Sequence, residues 1–255
     1  MTNKRKKFYE KMINKNITNK NSKILIVGAT NYDADIFKDN NFKNVTIANL
    51  SHENTYQPYE HSFQDLRQLN LADKSFDFVV ANACIHHTSK PHNAILEMYR
   101  VSKNGILVIE GNDSRLIKLT NFFNLSQDYE ITAVLDKNKT YDRGGVDNSI
   151  IPNFVYRWTE REIKKLFSSY EPQYSHKINF FYDIDFEGYK KVRKLFLGKP
   201  ILFILEFFAK FYFFLFFKEK NLFFFFVNKN ERKLKDWLKI DKKNNIELNK
   251  DFFKK

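Results

Sequence analysis

Between residues 23 and 110, short apolar runs alternate with segments that are long enough to form helices. This alternation predicts βαβ units, and therefore a mostly parallel sheet that helices cover on both faces. Ligands of such open sheets bind beyond the carboxyl ends of the strands. The predicted strands are Ile24–Val27, 44–50, Phe76–Asn82 and 105–110.

The second half of this stretch carries motifs in a defined order. They are Asp65-Leu66, Phe76-Asp77, His86-His87, Leu96-Glu97, Arg100-Val101, and Gly105 before an apolar strand. This order and spacing resembles the class I S-adenosylmethionine-dependent methyltransferases of the type 11 group. The resemblance implies an α/β fold with a doubly wound, mostly parallel, seven-stranded sheet. It also implies S-adenosylmethionine as cofactor.

The first half departs from the family's pattern, which has an acidic residue and further glycines around the first turn. Those positions hold Ile26, Thr30 and Tyr32, so that only Gly28 remains. One tight turn is sufficient for a cofactor without phosphates, whereas a dinucleotide requires several glycines. Asn49 replaces the family's acidic ribose-binding residue and lacks charge assistance, which predicts weaker binding. The alternative is a protein that kept the fold and lost its cofactor.

The resemblance also implies which residues contact the cofactor. Asp65 and the backbone of Leu66 are expected at the adenine, although an aspartate at this point is also a common turn residue. Asp77, at the start of a strand, is expected to be structural. The full predicted set is Gly28, Ala29, Asn49, Leu50, Asp65, Leu66 and Asn82.

The charge of the chain is concentrated at its ends. The net charge is +7 over residues 1–23 and +11 over residues 189–255, which leaves −5 for the middle of a chain of net +13. A mildly acidic body with basic ends fits an anionic membrane surface better than nucleic acid. The single cysteine, Cys84, excludes an internal disulfide and suits a reducing compartment. The first 23 residues lack the apolar stretch that signal peptides contain, so that no signal peptide is expected.

These features divide the chain into four parts. Residues 1–22 are predicted to form a basic helix, and residues 23–188 the cofactor-binding domain. Residues 189–230 are predicted to hold an apolar helical insertion and then the last strand of the sheet. Residues 231–255 are expected to be a charged, loosely held tail.

The apolar insertion centres on residues 200–217, whose run of phenylalanine, leucine and isoleucine is interrupted by Glu206 and Lys210. The apolar side chains of this run favour insertion into the bilayer by roughly −6 kcal/mol. The two charged side chains oppose insertion by about +3 kcal/mol each, so that the two contributions cancel. A spanning helix would also place the following strand across the membrane from its sheet. The sequence therefore predicts a helix lying in the membrane interface, with residues 190–220 contacting anionic lipid. The alternative is a helix buried in the core or in a dimer.

The candidate catalytic residues follow the strand Phe76–Asn82. A hydroxyl acceptor must lose a proton, and histidine accepts protons near neutral pH. His87 is predicted as the base, with His86 as second candidate; either could instead be a packing residue. Glu110 and Asp113 are secondary candidates for acceptor binding. No metal site is predicted, because the spacing of the histidines matches no standard zinc pattern.

The sequence thus predicts a methyltransferase on the cytoplasmic face of the membrane. The expected acceptor is a hydroxyl of a glycan or a lipid-linked intermediate, since the predicted interface helix and the family resemblance both favour it. Two alternatives stay open. One is a cofactor-free scaffold with the same fold, and the other is an RNA methyltransferase anchored by its basic ends.

Overall fold

A computed structural model describes residues 2–51, 56–122, 126–135, 143–185, 208 and 211–254. The strands of the main sheet are β1 (Ile24–Val27), β2 (Val45–Asn49), β3 (Glu60–Phe63), β4 (Phe76–Asn82), β5 (Ser102–Gly111), β6 (Tyr174–Asp183) and β7 (Leu222–Leu234). The helices are α1 (Asn3–Asn16), α2 (Asn31–Asp39), α3 (Pro91–Val101), α4 (Arg115–Phe122) and α5 (Glu160–Tyr170). Strands β8 (Leu238–Ile240) and β9 (Ile246–Leu248) form a separate hairpin.

The seven strands lie in the order β3-β2-β1-β4-β5-β7-β6. Strands β1 to β5 are paired in parallel, whereas β7 is antiparallel to both of its neighbours. The predicted seven-stranded, mostly parallel sheet is therefore confirmed. The strand order reverses between β1 and β4, which is the point where open α/β sheets bind ligands.

The sheet separates two apolar cores. Alternation along β7 sends Phe224 and Phe226 into the core under α1 and α2, and Phe223 and Phe225 into the core under α3 and α5. The apolar run that the sequence shows at this point is thus a strand buried on both faces.

The basic N-terminal helix, α1, ends at Asn16 and packs on one face of the sheet. Thr2 caps its start by accepting a hydrogen bond from the amide of Arg5. Phe8 lies edge-on to Phe224 of β7, with ring centroids 6.5 Å apart. Lys4, Lys7, Lys11 and Lys15 are exposed on the opposite side of this amphipathic helix, whereas Arg5 is half-buried.

The C-terminal region is more ordered than the sequence suggested. Strand β7 runs to Leu234, beyond the predicted end of the last strand, and the β8–β9 hairpin follows where a loose tail was expected. Trp237 packs against Phe252, with ring centroids 6.3 Å apart. Aromatic packing therefore holds part of a segment whose composition is mostly charged.

Most of the predicted apolar helix lies outside the described residues, which omit 186–207, 209 and 210. Residues 211–215 are helical, and a short 3-10 turn, Phe217–Glu219, leads into β7. Over the described part of the chain, no helix combines the length and the apolar character that crossing a membrane requires.

Candidate active site

A cavity of about 380 Å³ lies beyond the carboxyl ends of β1, β2 and β4. Its volume is within the range of small-molecule sites in proteins. Most of the predicted cofactor residues line it or adjoin it. The lining residues used below are Gly28, Asn49, Leu50, Asp65, Leu66, Cys84, His87, Gly144 and Asp147.

Gly28 forms the turn that the sequence predicted after β1. Its φ angle is +59°, in the left-handed region that favours glycine. A Cβ atom at this position would lie 2.5 Å from Cβ of Cys84. Both the backbone conformation and the approach of Cys84 therefore require glycine here.

Asn82 does not line the cavity. Its side chain is buried, and its Nδ2 donates to Oδ1 of Asp33 at 3.2 Å. Asp33 in turn accepts hydrogen bonds from the amide and hydroxyl of Thr30, which closes a capping box at the start of α2. Asn82 Oδ1 is buried without a hydrogen-bond partner among the described residues. The structure thus ties Asn82 to the start of α2.

Asn49 lies at the cavity with all its polar atoms engaged. Its Nδ2 donates to the carbonyl of Ala29 at 3.0 Å and to the hydroxyl of Tyr56 at 2.7 Å. Its Oδ1 accepts from the amide of Ser51 and faces Nε2 of His61 at 2.9 Å. A ribose hydroxyl would have to replace one of these partners.

Asp65 is held by Arg67, a residue that the sequence reasoning missed. Arg67 Nη2 lies 2.6 Å from Asp65 Oδ2, and Arg67 Nη1 donates to Asp147 Oδ2 at 2.8 Å. The hydrogen bonds from Arg67 lower the pKa of Asp65. The i,i+2 spacing of Asp65 and Arg67 is visible in the sequence, whereas Asp147 comes from a distant loop.

This loop, residues 143–148, forms one wall of the cavity. Asp147 has φ +52° and also accepts the amide of Ser89, so that it links two segments. The carbonyl of Gly144 accepts a hydrogen bond from Nδ1 of His87 at 2.9 Å. The polar Gly-Gly segment of the sequence is therefore anchored at the site by specific contacts.

Glu110 is fully buried beneath the turn that follows β4. Its Oε1 accepts the amides of Cys84 and Ile85, and its Oε2 accepts Nδ1 of His86 at 2.6 Å. Burial opposes charge on His86, but Glu110 and Glu130 outweigh it and raise the pKa of His86 to about 10. Glu110 therefore supports the ring of His86 from behind and does not face the acceptor.

Glu130 joins the two histidines and was not singled out from the sequence. Its Oε2 lies 3.2 Å from His87 Nε2 and 3.5 Å from His86 Nε2. Hydrogen bonds from both rings lower the pKa of Glu130 despite its partial burial. Because His87 lines the cavity and His86 is buried, His87 is the histidine that an acceptor can approach.

The other titratable side chains that the sequence suggested for the site lie apart from the cluster of His86, His87 and Glu130. His92 pairs with Glu162 at 2.9 Å, and Glu97 pairs with Arg100 at 2.8 Å. Asp113 pairs with Lys118 on α4.

Residues 25–109 match a family model described as a methyltransferase domain. No curated protein matches the chain. The PH0226 protein from Pyrococcus horikoshii OT3 is similar in structure, with 14% identity, a TM-score of 0.51, and 88% of this chain and 89% of that chain covered. A SAM-dependent methyltransferase from Archaeoglobus fulgidus has 12% identity, a TM-score of 0.50, and coverage of 88% and 94%.

At these identities the solved structures show the fold alone, and that fold is the class I methyltransferase fold. The matched domain and this fold together support an S-adenosylmethionine-dependent methyltransferase.

Proposed function

We propose that this methyltransferase methylates a hydroxyl group of a glycan or a lipid-linked intermediate at the cytoplasmic face of the membrane. The observation that carries the proposal is an exposed aromatic surface at the same edge of the sheet as the cofactor cavity. Bound S-adenosylmethionine supplies a methyl group that is already activated on a sulfonium.

The cavity fits this cofactor in two respects. The turn at Gly28 has no room for a side chain, so that the backbone itself forms the floor of the cavity. Asp65 and Leu66 line the region where an adenine is expected, and Arg67 keeps Asp65 ionised. We propose Gly28, Ala29, Asn49, Leu50, Asp65 and Leu66 as the residues that hold the cofactor.

His87 is the proposed residue at the acceptor. Because its Nδ1 donates to the carbonyl of Gly144, the lone pair of the neutral ring is on Nε2. Nε2 also faces Glu130 Oε2 at 3.2 Å, and a hydroxyl acceptor that replaces this contact can give its proton to the neutral ring. The neighbouring His86 is buried and does not line the cavity. The rest of the catalysis is alignment of the acceptor behind the methyl group, which contributes a large entropic term.

The aromatic surface precedes β7. Phe211, Phe214 and Phe216 expose 55%, 79% and 52% of their surface, respectively. Asn112, at the end of β5, donates to the carbonyls of Lys218 and Lys220 at 2.7 Å. These bonds fix the segment at the carboxyl end of β5, on the edge where the cavity opens.

Other exposed apolar side chains flank the same edge. They come from α4 and from the segments around residues 130 and 150, which border the site. Several exposed apolar side chains at one edge are typical of a contact with a membrane or a partner, and the lysines near them in the chain favour anionic lipid. The flanking residues are Leu119, Phe122, Tyr129, Ile131, Ile150 and Ile151.

The test has two parts. Cosedimentation with phosphatidylserine-containing vesicles should be lost in a Phe214→Ser/Phe216→Ser variant. It should be retained in Leu248→Ser, which removes an equally exposed side chain from the hairpin at the far end of β7. Labelled S-adenosylmethionine should transfer its methyl group to lipid-linked oligosaccharide as an ether. Equal binding of both variants to vesicles, or transfer to RNA alone, would reject the proposal.

A further inference from the structure

Two distant segments bring three potential metal ligands together beside the cavity. The ligand atoms of His86, His87 and Glu130 all lie within 4.8 Å of one another. Glu130 Oε2 is 3.2 Å from His87 Nε2 and 3.5 Å from His86 Nε2. A tetrahedral ion at ~2.1 Å from each ligand keeps those ligands about 3.4 Å apart. Two of the three separations therefore match a bound ion closely.

Both imidazole rings are oriented through their far nitrogens. Nδ1 of His86 donates to buried Glu110 at 2.6 Å, and Nδ1 of His87 donates to the carbonyl of Gly144 at 2.9 Å. Each ring thus directs Nε2 toward Glu130. A carboxylate or a backbone carbonyl behind the ring is the arrangement that orients metal-binding histidines.

We propose that His86, His87 and Glu130 form a binding site for a divalent transition-metal ion. Two imidazoles and one carboxylate suit Zn²⁺ and leave a position on the ion for an exchangeable ligand. The side chains of His87 and Glu130 are 30% and 36% exposed, so that an ion can enter from solvent. An ion also explains why one carboxylate oxygen faces two ring nitrogens, each of which is held in place by a separate partner.

The role of the ion in methyl transfer rests on the proposed function. The binding of the ion by the three side chains does not. A hydroxyl acceptor at the open position would lose its proton to solvent, because a divalent ion lowers the pKa of a bound oxygen. The oxygen forms the bond to the methyl carbon while the carbon–sulfur bond breaks, and that bonding pair stays on sulfur. The products are the methyl ether and S-adenosylhomocysteine. With the ion bound, Nε2 of His87 is a ligand and the ion replaces it in activating the hydroxyl.

The experiment titrates the metal-free, full-length protein with Zn²⁺ by calorimetry and with Co²⁺ by visible absorption. We expect one ion per chain, a spectrum of four- or five-coordinate Co²⁺, and a higher unfolding temperature. Glu130→Gln and His87→Asn should each weaken binding at least tenfold. Glu110→Gln should weaken it by roughly 10- to 100-fold, because it removes the support of His86.

His92→Asn is the matched control, since His92 also faces a carboxylate, Glu162, at 2.9 Å. It should bind the ion like the unchanged protein. The inference is overturned if the folded protein binds no ion at millimolar concentration, or if Glu130→Gln and His87→Asn bind as tightly as the control. With either result, His86, His87 and Glu130 form only an ion pair between two imidazole rings and one carboxylate.

Binding of S-adenosylmethionine and methylation of hydroxyl acceptors are measured on the same samples. Methylation by an unchanged protein that binds no ion rejects the metal site alone. Intact ion binding without methylation of any hydroxyl acceptor rejects the proposed function alone.

Discussion

Oε2 of Glu110 accepts a hydrogen bond from Nδ1 of His86 at 2.6 Å, in a pair whose side chains are 0% and 8% exposed. The other oxygen of Glu110 accepts the amides of Cys84 and Ile85. One buried carboxylate therefore fixes both the turn after β4 and the ring orientation of His86. This turn is the point at which the cofactor cavity meets the histidine cluster.

Replacing Glu110 by glutamine removes the charge that compensates buried His86. Removal of one partner from a buried ion pair costs about 3 kcal/mol or more. We expect Glu110→Gln to lower the free energy of unfolding in urea by that amount. Glu162→Gln is the control, because His92 and Glu162 are partly exposed and their pair contributes about 1 kcal/mol or less. Equal losses in the two variants would contradict the structural role of Glu110.

Replacing Gly28 by alanine places a Cβ atom in the left-handed region and 2.5 Å from Cβ of Cys84. The backbone strain costs about 1–2 kcal/mol, and the contact with Cys84 adds to it. We expect a lower unfolding midpoint and weaker binding of S-adenosylmethionine by calorimetry. In Gly111→Ala the new atom meets only the flexible side chain of Arg157 at 3.2 Å, so this control should retain both properties.

Asp65 and Asp73 both pair with an arginine, but only Asp65 lines the cavity. We expect Asp65→Asn to weaken binding of S-adenosylmethionine about tenfold or more, since a charge-assisted hydrogen bond contributes roughly 1.5–3 kcal/mol. Asp73→Asn should bind the cofactor unchanged. Calorimetry on the two variants measures the difference, and equal affinities would place the adenine elsewhere.

Glu171 gives a prediction for acid stability. Burial raises its pKa, but His176, Tyr99 and Arg232 outweigh burial and lower it to about 2. A carboxyl whose folded pKa is below its ordinary value of 4.5 stabilises the fold above pH 4.5, and this contribution is lost as pH falls toward 2. We expect Glu171→Gln to cost about 2 kcal/mol at pH 7 and much less near pH 2. Urea unfolding at the two pH values tests this, and a constant difference would contradict it.

Local patterns were sufficient to predict the sheet. Apolar runs of strand length, separated by segments of helix length, predicted β1, β2, β4 and β5, and the motif order predicted the family. Gly28 was also predictable, because a turn directly after the first strand must bring the backbone close to the ligand. These features depend on residues near one another in the chain.

The contents of the site depended on contacts between distant segments. The sequence placed Asn82 at the cofactor, but the fold turns it toward Asp33. It placed Asn49 at the ribose hydroxyls of the cofactor, but in the structure Tyr56 and His61 already engage its side chain.

The sequence by itself determined the order of strands and helices, because burial of alternating side chains is encoded locally. Only the tertiary structure decided that Glu130 faces both histidines and that Asp147 binds Arg67. Such pairs form where loops cross the edge of the sheet. The path of a loop is set by the packing of the whole chain, so that local residue spacing does not reveal it.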